Sequence, residues 1–391
     1  MAQPGTQFAP QAERASQKKV LWVTNLAAPY RRPVWRSLSA RYELTVGLLE
    51  SNSGLLRDYK ANRGADWLHH EEDGVSYAEL RTWKFTRRES RFYILKSLPV
   101  LHSYDLIVFG GWESPAYWLL LLASIFLGIA RVGFYESHEA TISRKTGLLA
   151  WARSRFFRCM DRVVVPGKAA AQAMIGFGVD EDKVVQGFNA VDVMAFHEAT
   201  TMVDASEPDP CPRGHRYLFV GQLIERKRVD AIINSFINIA LPHDELTIVG
   251  SGELRESLAA QARTSHHRIN FIGQLENEKL PNLMAAHQTL VLASENEVWG
   301  LVVNEALAAG MHVVVSSNCG VAESISGMRG VYTVLPSLVD LSDNMRVSRS
   351  NWNGRITDPE ILQFTPESFA ADFDRAFMAS LATLGTRACR T

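Results

Sequence analysis

Short apolar runs alternate with longer helical patterns through the first half of the chain. The apolar runs lie at 18–25, 43–49, 105–111, 131–136 and 162–167, and all but the second end in glycine or a polar residue. Runs of this length are typical of strands buried on both faces of a parallel sheet, and the intervals between them leave room for crossover helices. The pattern therefore predicts an α/β fold for this half.

The same alternation restarts after a polar, proline-rich interval. Apolar runs at 217–221, 245–250, 269–273, 289–293, 312–317 and 331–335 predict strands, and the segments 229–239, 253–263, 279–286 and 301–310 predict helices. Strands and helices in strict alternation indicate a second doubly wound domain.

With 391 residues the chain is long enough for two domains. We expect a disordered leader at 1–17, an N-terminal domain at 18–197, a linker at 198–214 and a C-terminal domain at 215–364. Residues 365–391 are predicted to form a terminal helix and tail. Thr365 is its expected N-cap, with Pro366 at the first helical position, and the pattern continues to about Ala382.

Composition limits the classes of function. A formal net charge of −1 argues against a nucleic-acid-binding protein, which would normally carry a basic excess. The four cysteines have no spacing that suits a zinc site or a disulfide framework, which fits a reducing compartment. The leader has no apolar segment typical of a signal peptide, and we expect a cytoplasmic protein. The apolar run 116–130 is shorter than a membrane span and predicts a buried helix, with a membrane-surface element as the alternative.

Two glutamates flank the start of the predicted helix at 301–310. Glu297 lies in the preceding loop and Glu305 about one turn into the helix. The first N–H groups of a helix have no partner within it, so Gly300, Leu301 and Val302 would suit an anion. Carboxylates beside an anion site would repel phosphates, and we expect the two glutamates to bind sugar or ribose hydroxyls instead.

Glycines and cations collect near the same sheet edge. Gly221, Gly252 and Gly273 follow predicted strands, and their small turns would admit a phosphorylated ligand. Arg226 and Lys227 come soon after Gly221, and either could pair with a diphosphate. The alternative for this basic run is a solvated loop.

His138 directly follows the predicted strand at 131–136. Open α/β sheets bind ligands at the carboxyl ends of their strands. His138 is therefore a candidate functional residue as well as a candidate structural one.

Several ordered motifs resemble the retaining nucleotide-sugar glycosyltransferases of family 4. They are Phe-Val-Gly-Gln-Leu-Ile-Glu-Arg-Lys at 219–227, Ile-Val-Gly-Ser-Gly-Glu-Leu at 248–254, Asn-Phe-Ile-Gly at 270–273, Glu297 and Glu305 with Ala-Leu-Ala-Ala-Gly after them, and Gly-Val-Ala-Glu at 320–323. The resemblance is strong over 217–324 and weaker upstream. It implies the GT-B fold, in which two Rossmann-like doubly wound domains face a central cleft and a C-terminal helix can cross back to the N-terminal domain.

The resemblance also implies residue roles. Glu305 would bind the donor ribose, Glu297 the hydroxyls of the donor sugar, and Lys227 the diphosphate, while His138 would position the sugar. Arg226, Gly221, Gly252 and the helix start at Gly300, Leu301 and Val302 complete the expected donor site. Two residues depart from the family pattern, because Gln222 stands where the family commonly has arginine and Arg228 where it usually has glycine.

The implied activity is transfer of a sugar from a nucleotide diphosphate sugar to an acceptor hydroxyl, with retention of anomeric configuration. No metal and no cofactor beyond the nucleotide sugar are expected. The acceptor would be a glycan, a lipid-linked or polysaccharide intermediate, or a small molecule. The alternatives are a nucleotide-sugar epimerase, a phosphorylase or a non-catalytic binding protein of the same architecture.

Basic residues interleaved with aromatic ones suggest a membrane-facing acceptor side. One cluster comprises Arg81, Lys84, Arg87, Arg88, Arg91 and Lys96 with Trp83, Phe85, Phe92 and Tyr93. A second comprises Arg144, Lys145, Arg153, Arg155, Arg158, Arg162 and Lys168 with Trp151, Phe156 and Phe157. Such mixtures suit an anionic membrane surface or a lipid-diphosphate acceptor. The alternative is a solvated face over core aromatics.

Overall fold

A computed structural model describes residues 17–51, 74–87, 90–142, 144–204 and 214–388. The predicted leader up to residue 16 and the polar and aromatic segment 62–67 lie outside these ranges. So do residues 205–213, which form most of the predicted linker.

A parallel sheet is built from strands of the first half. The strands are β1 (Lys19–Thr24), β2 (Glu43–Leu48), β3 (Ser76–Glu79), β6 (Leu106–Phe109), β7 (Ala130–Phe134), β8 (Arg162–Pro166) and β9 (Val184–Gly187), in the order β3-β2-β1-β6-β7-β8-β9. In β1 the register places Trp22 opposite Val46 of β2 and Val108 of β6. Both neighbours of β1 run parallel to it, as the apolar runs predict.

Strands β4 (Thr82–Arg87) and β5 (Ser90–Leu95) form a separate antiparallel hairpin, which the sequence analysis did not anticipate. The hairpin carries the first basic and aromatic cluster. Strand β4 is mostly exposed and alternates polar with aromatic residues, so it lacks the continuous apolar run that marks a buried strand.

A second parallel sheet contains the predicted strands of the second half. These are β10 (Arg216–Val220), β11 (Glu245–Val249), β12 (Arg268–Gly273), β13 (Thr289–Leu292), β14 (His312–Ser316) and β15 (Val331–Val334), in the order β12-β11-β10-β13-β14-β15. The central strand β10 lies between β11 and β13, so the residues that follow these three strands meet at one edge.

The helices are α1 (Arg32–Ser39), α2 (Pro115–Phe126), α3 (Leu148–Arg158), α4 (Gly167–Gly176), α5 (Val193–Asp204), α6 (Val229–Ile239), α7 (Arg255–Ala262), α8 (Leu280–Ala285), α9 (Leu301–Ala308), α10 (Leu341–Ser350) and α11 (Pro366–Ala388). The interval 198–214 therefore begins inside α5. Helix α10 lies in a polar segment for which the sequence analysis assigned no element. Thr365 caps α11 as predicted, since its hydroxyl accepts the Ser368 N–H at 3.2 Å, but this helix continues past Ala382.

The chain forms two compact units. One contains the described residues up to Phe134, residues 159–163 and the described residues from Asp374 onward. In this unit Trp22 packs edge to face on Trp35, and Tyr42 donates to the Asp374 carboxylate of α11 at 2.5 Å. The other unit contains residues 135–158 and 164–373. In it, Tyr217 donates to the Met345 carbonyl at 2.9 Å inside the core.

Helix α2 corrects the prediction of a fully buried helix. Ala116, Tyr117, Leu120 and Leu121 are buried on one face, but Leu122 is 63% exposed and Phe126 91% exposed on another. The sequence does not predict this exposed face, because the helix has no charged residue that would mark it. Among the described residues no helix combines the length and apolarity needed to cross a membrane.

Candidate functional site

The predicted helix start is present at α9. Gly300 caps the helix with φ 97° and ψ 57°, a left-handed conformation that glycine adopts without steric cost. The N–H groups of Leu301 and Val302 have no hydrogen-bond acceptor among the described residues, whereas the Val303 N–H bonds to the Gly300 carbonyl at 2.9 Å. Two helix N–H groups are therefore available to an anion.

Lys227 and Glu297 form an ion pair beside this helix start. The Lys227 ammonium donates to Glu297 Oε2, and the two side chains are only 11% and 16% exposed. Arg226 adds a second cation, with its Nη1 at 3.4 Å from the same oxygen. Two cations surround one carboxylate, so this group of side chains has a net positive charge despite containing Glu297.

Backbone contacts join the two loops that carry this cluster. The Glu295 N–H bonds to the Arg226 carbonyl at 2.8 Å, and Arg226 Nη1 donates to the Asn296 carbonyl at 3.1 Å. On the other side, the Gly320 N–H bonds to the Glu297 carbonyl at 3.0 Å. A side chain at position 320 would collide with the Val298 carbonyl oxygen, so glycine is required for this close approach.

His138 contacts the same loop. Its Nε2 lies 2.8 Å from the Glu297 carbonyl oxygen, and the residue is 5% exposed. Thr141 fixes the backbone, since its hydroxyl accepts the His138 N–H at 2.9 Å. The histidine predicted from strand-end placement thus lies at the loop that carries Glu297, bonded to the Glu297 backbone and not to its carboxylate.

Glu305 lies one turn into α9, as predicted. Its carboxylate makes no hydrogen bond or ion pair with a described residue. The side chain is half-buried, and its removal from water disfavours the ionised form and raises the pKa of Glu305 to about 7. Near neutral pH the side chain therefore carries only part of a negative charge, which limits its repulsion of a nearby phosphate.

Close contacts between main chains contribute to the floor next to Lys227. Gly221 follows β10, and a side chain at Gly250 would collide with the Gly221 carbonyl oxygen. A side chain at Gly252 would likewise collide with the Leu223 carbonyl oxygen. Glycine is therefore needed at position 252, because two loops touch there through their main chains.

Gln222 and Arg228, the two residues that depart from the family pattern, have different surroundings in the structure. Gln222 is exposed, and its side chain contacts no described hydrogen-bond partner. Arg228 keeps a glycine-like backbone, with φ 50° and ψ 41°. Its guanidinium pairs with Asp230 at 3.2 Å and with Glu295 at 3.1 Å, and the hydrogen bond to Asp230 is the main cause that raises the pKa of Arg228. Arg228 thus keeps the left-handed backbone that glycine adopts without steric cost.

A buried polar chain that the sequence analysis missed supports the helix start. The Trp299 indole N–H donates to Asn304 Oδ1 at 3.1 Å, and Asn304 Nδ2 donates to the Asn189 carbonyl at 2.7 Å. Asn304 is fully buried. An asparagine inside an otherwise apolar helix pattern was the available signal, because a buried amide needs partners.

The structure thus joins Arg226, Lys227, Glu297 and His138 by direct contacts. Gly300 lies close behind Glu297, since a Cβ at Gly300 would be 3.6 Å from Glu297 Cγ. Gly221 lies next to Lys227 by the same measure, at 3.9 Å from Lys227 Cε. Gln222 and Glu305 are predicted donor-site residues whose polar side chains make no polar contact with this cluster in the part of the chain that the structure describes.

Comparison with known proteins matches the segment that contains most of this cluster. Residues 213–331 fit the family described as glycosyl transferases group 1. This segment is therefore similar to the group 1 glycosyltransferases. An uncharacterised glycosyltransferase of Methanocaldococcus jannaschii is 37% identical over 112 residues, which are 28% of this chain and 28% of that protein. The chain thus spans less than a third of this relative's length.

Two further similarities extend beyond the segment. A GDP-mannose-dependent alpha-mannosyltransferase of Mycobacterium tuberculosis is 27% identical over 212 residues, covering 52% of this chain and 53% of that protein. The solved structure of Anabaena HepE in complex with UDP superposes with a TM-score of 0.62 at 15% identity, covering 95% of this chain and 98% of HepE. The two α/β domains have the GT-B fold, which confirms the predicted architecture.

Proposed function

We propose that this protein is a glycosyltransferase that moves a sugar from a nucleotide diphosphate sugar to an acceptor hydroxyl. The observation that carries the proposal is the cationic cluster of Lys227 and Arg226 beside the free N–H groups of Leu301 and Val302. Cations and helix N–H groups together suit a diphosphate. The group 1 match and relatives whose names include GDP-mannose or UDP support the same donor class.

In the proposed donor complex, Lys227 and Arg226 bind the diphosphate oxygens and α9 directs its first N–H groups at them. Glu305 accepts hydrogen bonds from the ribose hydroxyls. Glu297 accepts hydrogen bonds from the donor sugar, and His138 positions that sugar. The floor at Gly221 and Gly252 permits close backbone approach to the nucleotide.

The proposed reaction retains the anomeric configuration and needs no divalent metal. The bond between the anomeric carbon and the diphosphate oxygen breaks, and the acceptor oxygen bonds to the same face of that carbon. The acceptor proton moves to the departing diphosphate oxygen, so no enzymatic nucleophile is required. Lys227, Arg226 and the helix N–H groups stabilise the charge that develops on the leaving group.

The proposal also includes the chemical class of the acceptor. We infer a glycan, a lipid-linked or polysaccharide intermediate, or a small molecule with a free hydroxyl. Support comes from the relatives, which are named as sugar transferases.

A donor screen followed by product analysis tests the function. Nucleotide sugars that bind only the folded protein should raise its Tm, and a panel of bases and sugars should reveal one preferred donor. With that donor and an acceptor panel, NMR should show a product with the donor's anomeric configuration, formed equally well in EDTA. An inverted product would contradict retention, and loss of activity in EDTA would contradict metal independence.

Further reactions distinguish the alternatives. Conversion of the sugar nucleotide without acceptor would indicate an epimerase, and a requirement for inorganic phosphate would indicate a phosphorylase. If neither the nucleotide sugars nor the nucleoside diphosphates raise the Tm of the protein, this result would contradict the proposed donor site itself.

A further inference from the structure

The register of the β4–β5 hairpin separates its side chains into two chemically different faces. Trp83 pairs with Ile94 and Phe85 pairs with Phe92. Opposed residues of an antiparallel pair share a face, and alternate residues along a strand share it too. These four apolar side chains therefore lie on one face, which is called the outer face below.

Cations surround this outer face. Arg81 and Arg87 continue the alternation on either side of Trp83 and Phe85, and Lys96 continues it after Ile94. The backbone pairing extends that far, because the Lys96 N–H bonds to the Arg81 carbonyl at 2.9 Å. None of these three exposed side chains forms an ion pair with a described residue, and no described residue of the outer face is acidic.

The opposite face anchors the hairpin. Lys84 donates to the Glu50 carboxylate at 3.1 Å, and the Tyr93 hydroxyl donates to it at 3.0 Å. Arg91 Nη1 lies 3.6 Å from the same carboxylate, which is only 6% exposed. The basic and aromatic cluster seen in the sequence is thus divided between the two faces. Lys84, Arg91 and Tyr93 contact Glu50 on the inner face, and the remaining described members lie on the outer face.

The outer face is open to solvent. Trp83 is 59% exposed and Phe85 45% exposed, values unusual for large apolar side chains of a hairpin held this firmly. Phe85 stacks on Phe92 with ring centroids 5.2 Å apart, and the Lys96 ammonium lies 5.9 Å from the centroid of the Trp83 ring. The rings therefore form an ordered apolar surface with cations at its edge.

We propose that the outer face of the β4–β5 hairpin docks this protein on an anionic lipid bilayer. Tryptophan and phenylalanine partition into the interfacial region of a bilayer, while lysine and arginine bind anionic headgroups. A soluble acidic polymer or single-stranded nucleic acid would pair with the cations, but Phe85 and Phe92 already stack on each other, which leaves less ring surface for a base. The docking goes beyond the proposed function, because it requires neither donor nor acceptor.

Helix α2 in the same unit presents a second exposed apolar stripe. Leu119, Leu122 and Phe126 recur at helical spacing and are 39%, 63% and 91% exposed. The helix packs against β5. A bilayer surface that receives the hairpin would also cover apolar side chains of this kind.

Vesicle sedimentation with the full chain tests the proposal. The protein should sediment with vesicles of phosphatidylcholine and phosphatidylglycerol but not with phosphatidylcholine alone, and the bound fraction should fall as salt rises. The double variant Arg81→Glu/Lys96→Glu should bind at least about tenfold more weakly, since each basic residue near the surface contributes to attraction. Trp83→Ala/Phe85→Ala should also bind more weakly without any change in charge.

The matched control is Arg255→Glu/Arg263→Glu, which makes the same change in net charge at two exposed positions on another unit. Its vesicle binding should stay within about twofold of the parent, and circular dichroism should show that every variant is folded. Equal loss in the control and hairpin variants would overturn the proposal, because general charge would then explain binding. Absence of vesicle binding, or binding to soluble RNA or heparin alone, would also overturn it.

Discussion

Lys227 and Glu297 bind each other in the structure, although sequence reasoning assigns them to different parts of the donor. Their ion pair places a carboxylate at the proposed diphosphate position without leaving an unpaired negative charge. A donor that binds there must share Lys227 with Glu297 or displace it. The Glu297 carboxylate therefore takes the position at Lys227 that a diphosphate oxygen would take in the proposed donor complex.

Substitution of each partner separates the two roles. Lys227→Met should weaken nucleoside diphosphate binding by about 10- to 100-fold, because a charge-assisted hydrogen bond contributes about 1.5–3 kcal/mol. Glu297→Gln should leave that affinity equal or higher, since Lys227 is released, while transfer from the nucleotide sugar slows. Calorimetry with the diphosphate and turnover with the full donor give the two readouts. A parallel loss of diphosphate affinity in both variants would contradict the assignment.

Glu305 predicts proton release when the donor binds. Its pKa is raised to about 7 by burial, and hydrogen bonds from ribose hydroxyls would favour the ionised form and lower that pKa. Donor binding near pH 7 should therefore release a fraction of a proton, measured by calorimetry in buffers of different ionisation enthalpy. Glu305→Gln has no such proton and serves as the control. Equal proton release by both proteins would place the titrating group elsewhere.

The same residue predicts how stability depends on pH. The pKa of Glu305 in the folded protein exceeds its ordinary value of 4.5. Its contribution to stability is therefore complete below pH 4.5 and is lost as pH rises through 7, at a cost of up to about 3 kcal/mol. Glu305→Gln should lose less stability than the parent between pH 5 and pH 8 in urea unfolding. An unchanged pH dependence would mean that burial does not control this carboxyl.

Arg228 predicts an unusual order of stability among variants. A left-handed residue other than glycine costs about 1 kcal/mol, and here the pairs with Asp230 and Glu295 offset that cost. Arg228→Ala keeps the strain and loses the pairs, so it should be less stable than Arg228→Gly by about 1 kcal/mol. Thermal unfolding checks the order, and Asp230→Asn tests the pair alone. Equal stability of the alanine and glycine variants would contradict a strained loop.

Gln222 predicts a gain of function. The side chain is exposed and lacks polar contacts with the described residues, so Gln222→Arg should fold like the parent. An arginine there would add a cation near the proposed diphosphate position and should tighten nucleoside diphosphate binding several-fold, most clearly at low salt. Gln222→Lys is the control for charge without the planar guanidinium. No gain with either variant would show that position 222 does not face the diphosphate.

The sequence predicts most of the parallel strands and the position of α9, because continuous apolar runs and glycine-ended helices are local signals. The hairpin at β4 and β5 escaped prediction, since its stability depends on Glu50, which lies far away in the chain. Helix α10 escaped it as well, because its polar surface obscures the helical period. The local pattern of a sequence does not predict contacts between segments that are distant from each other in the chain.

In the candidate site, too, the sequence predicts individual residues but not the contacts between them. Sequence identified Glu297, Lys227 and His138 as separate candidates, but not that His138 bonds to the Glu297 carbonyl or that Lys227 pairs with the Glu297 side chain. It also gave no partner for Asn304. The Lys227–Glu297 pair depends on the sheet order that places β10 beside β13. The contacts of His138 and Asn304 join segments more than a hundred residues apart in the chain.

The contact between Gly221 and Gly250 has a consequence for how a donor could be selected. Where two main chains touch, a surface offers only peptide groups, and these are the same in every protein that keeps the two glycines. Such a surface cannot distinguish one nucleobase or sugar from another. Preference for a particular donor must then arise from side chains around it, and exchange of those side chains should alter donor choice while the glycine floor stays intact.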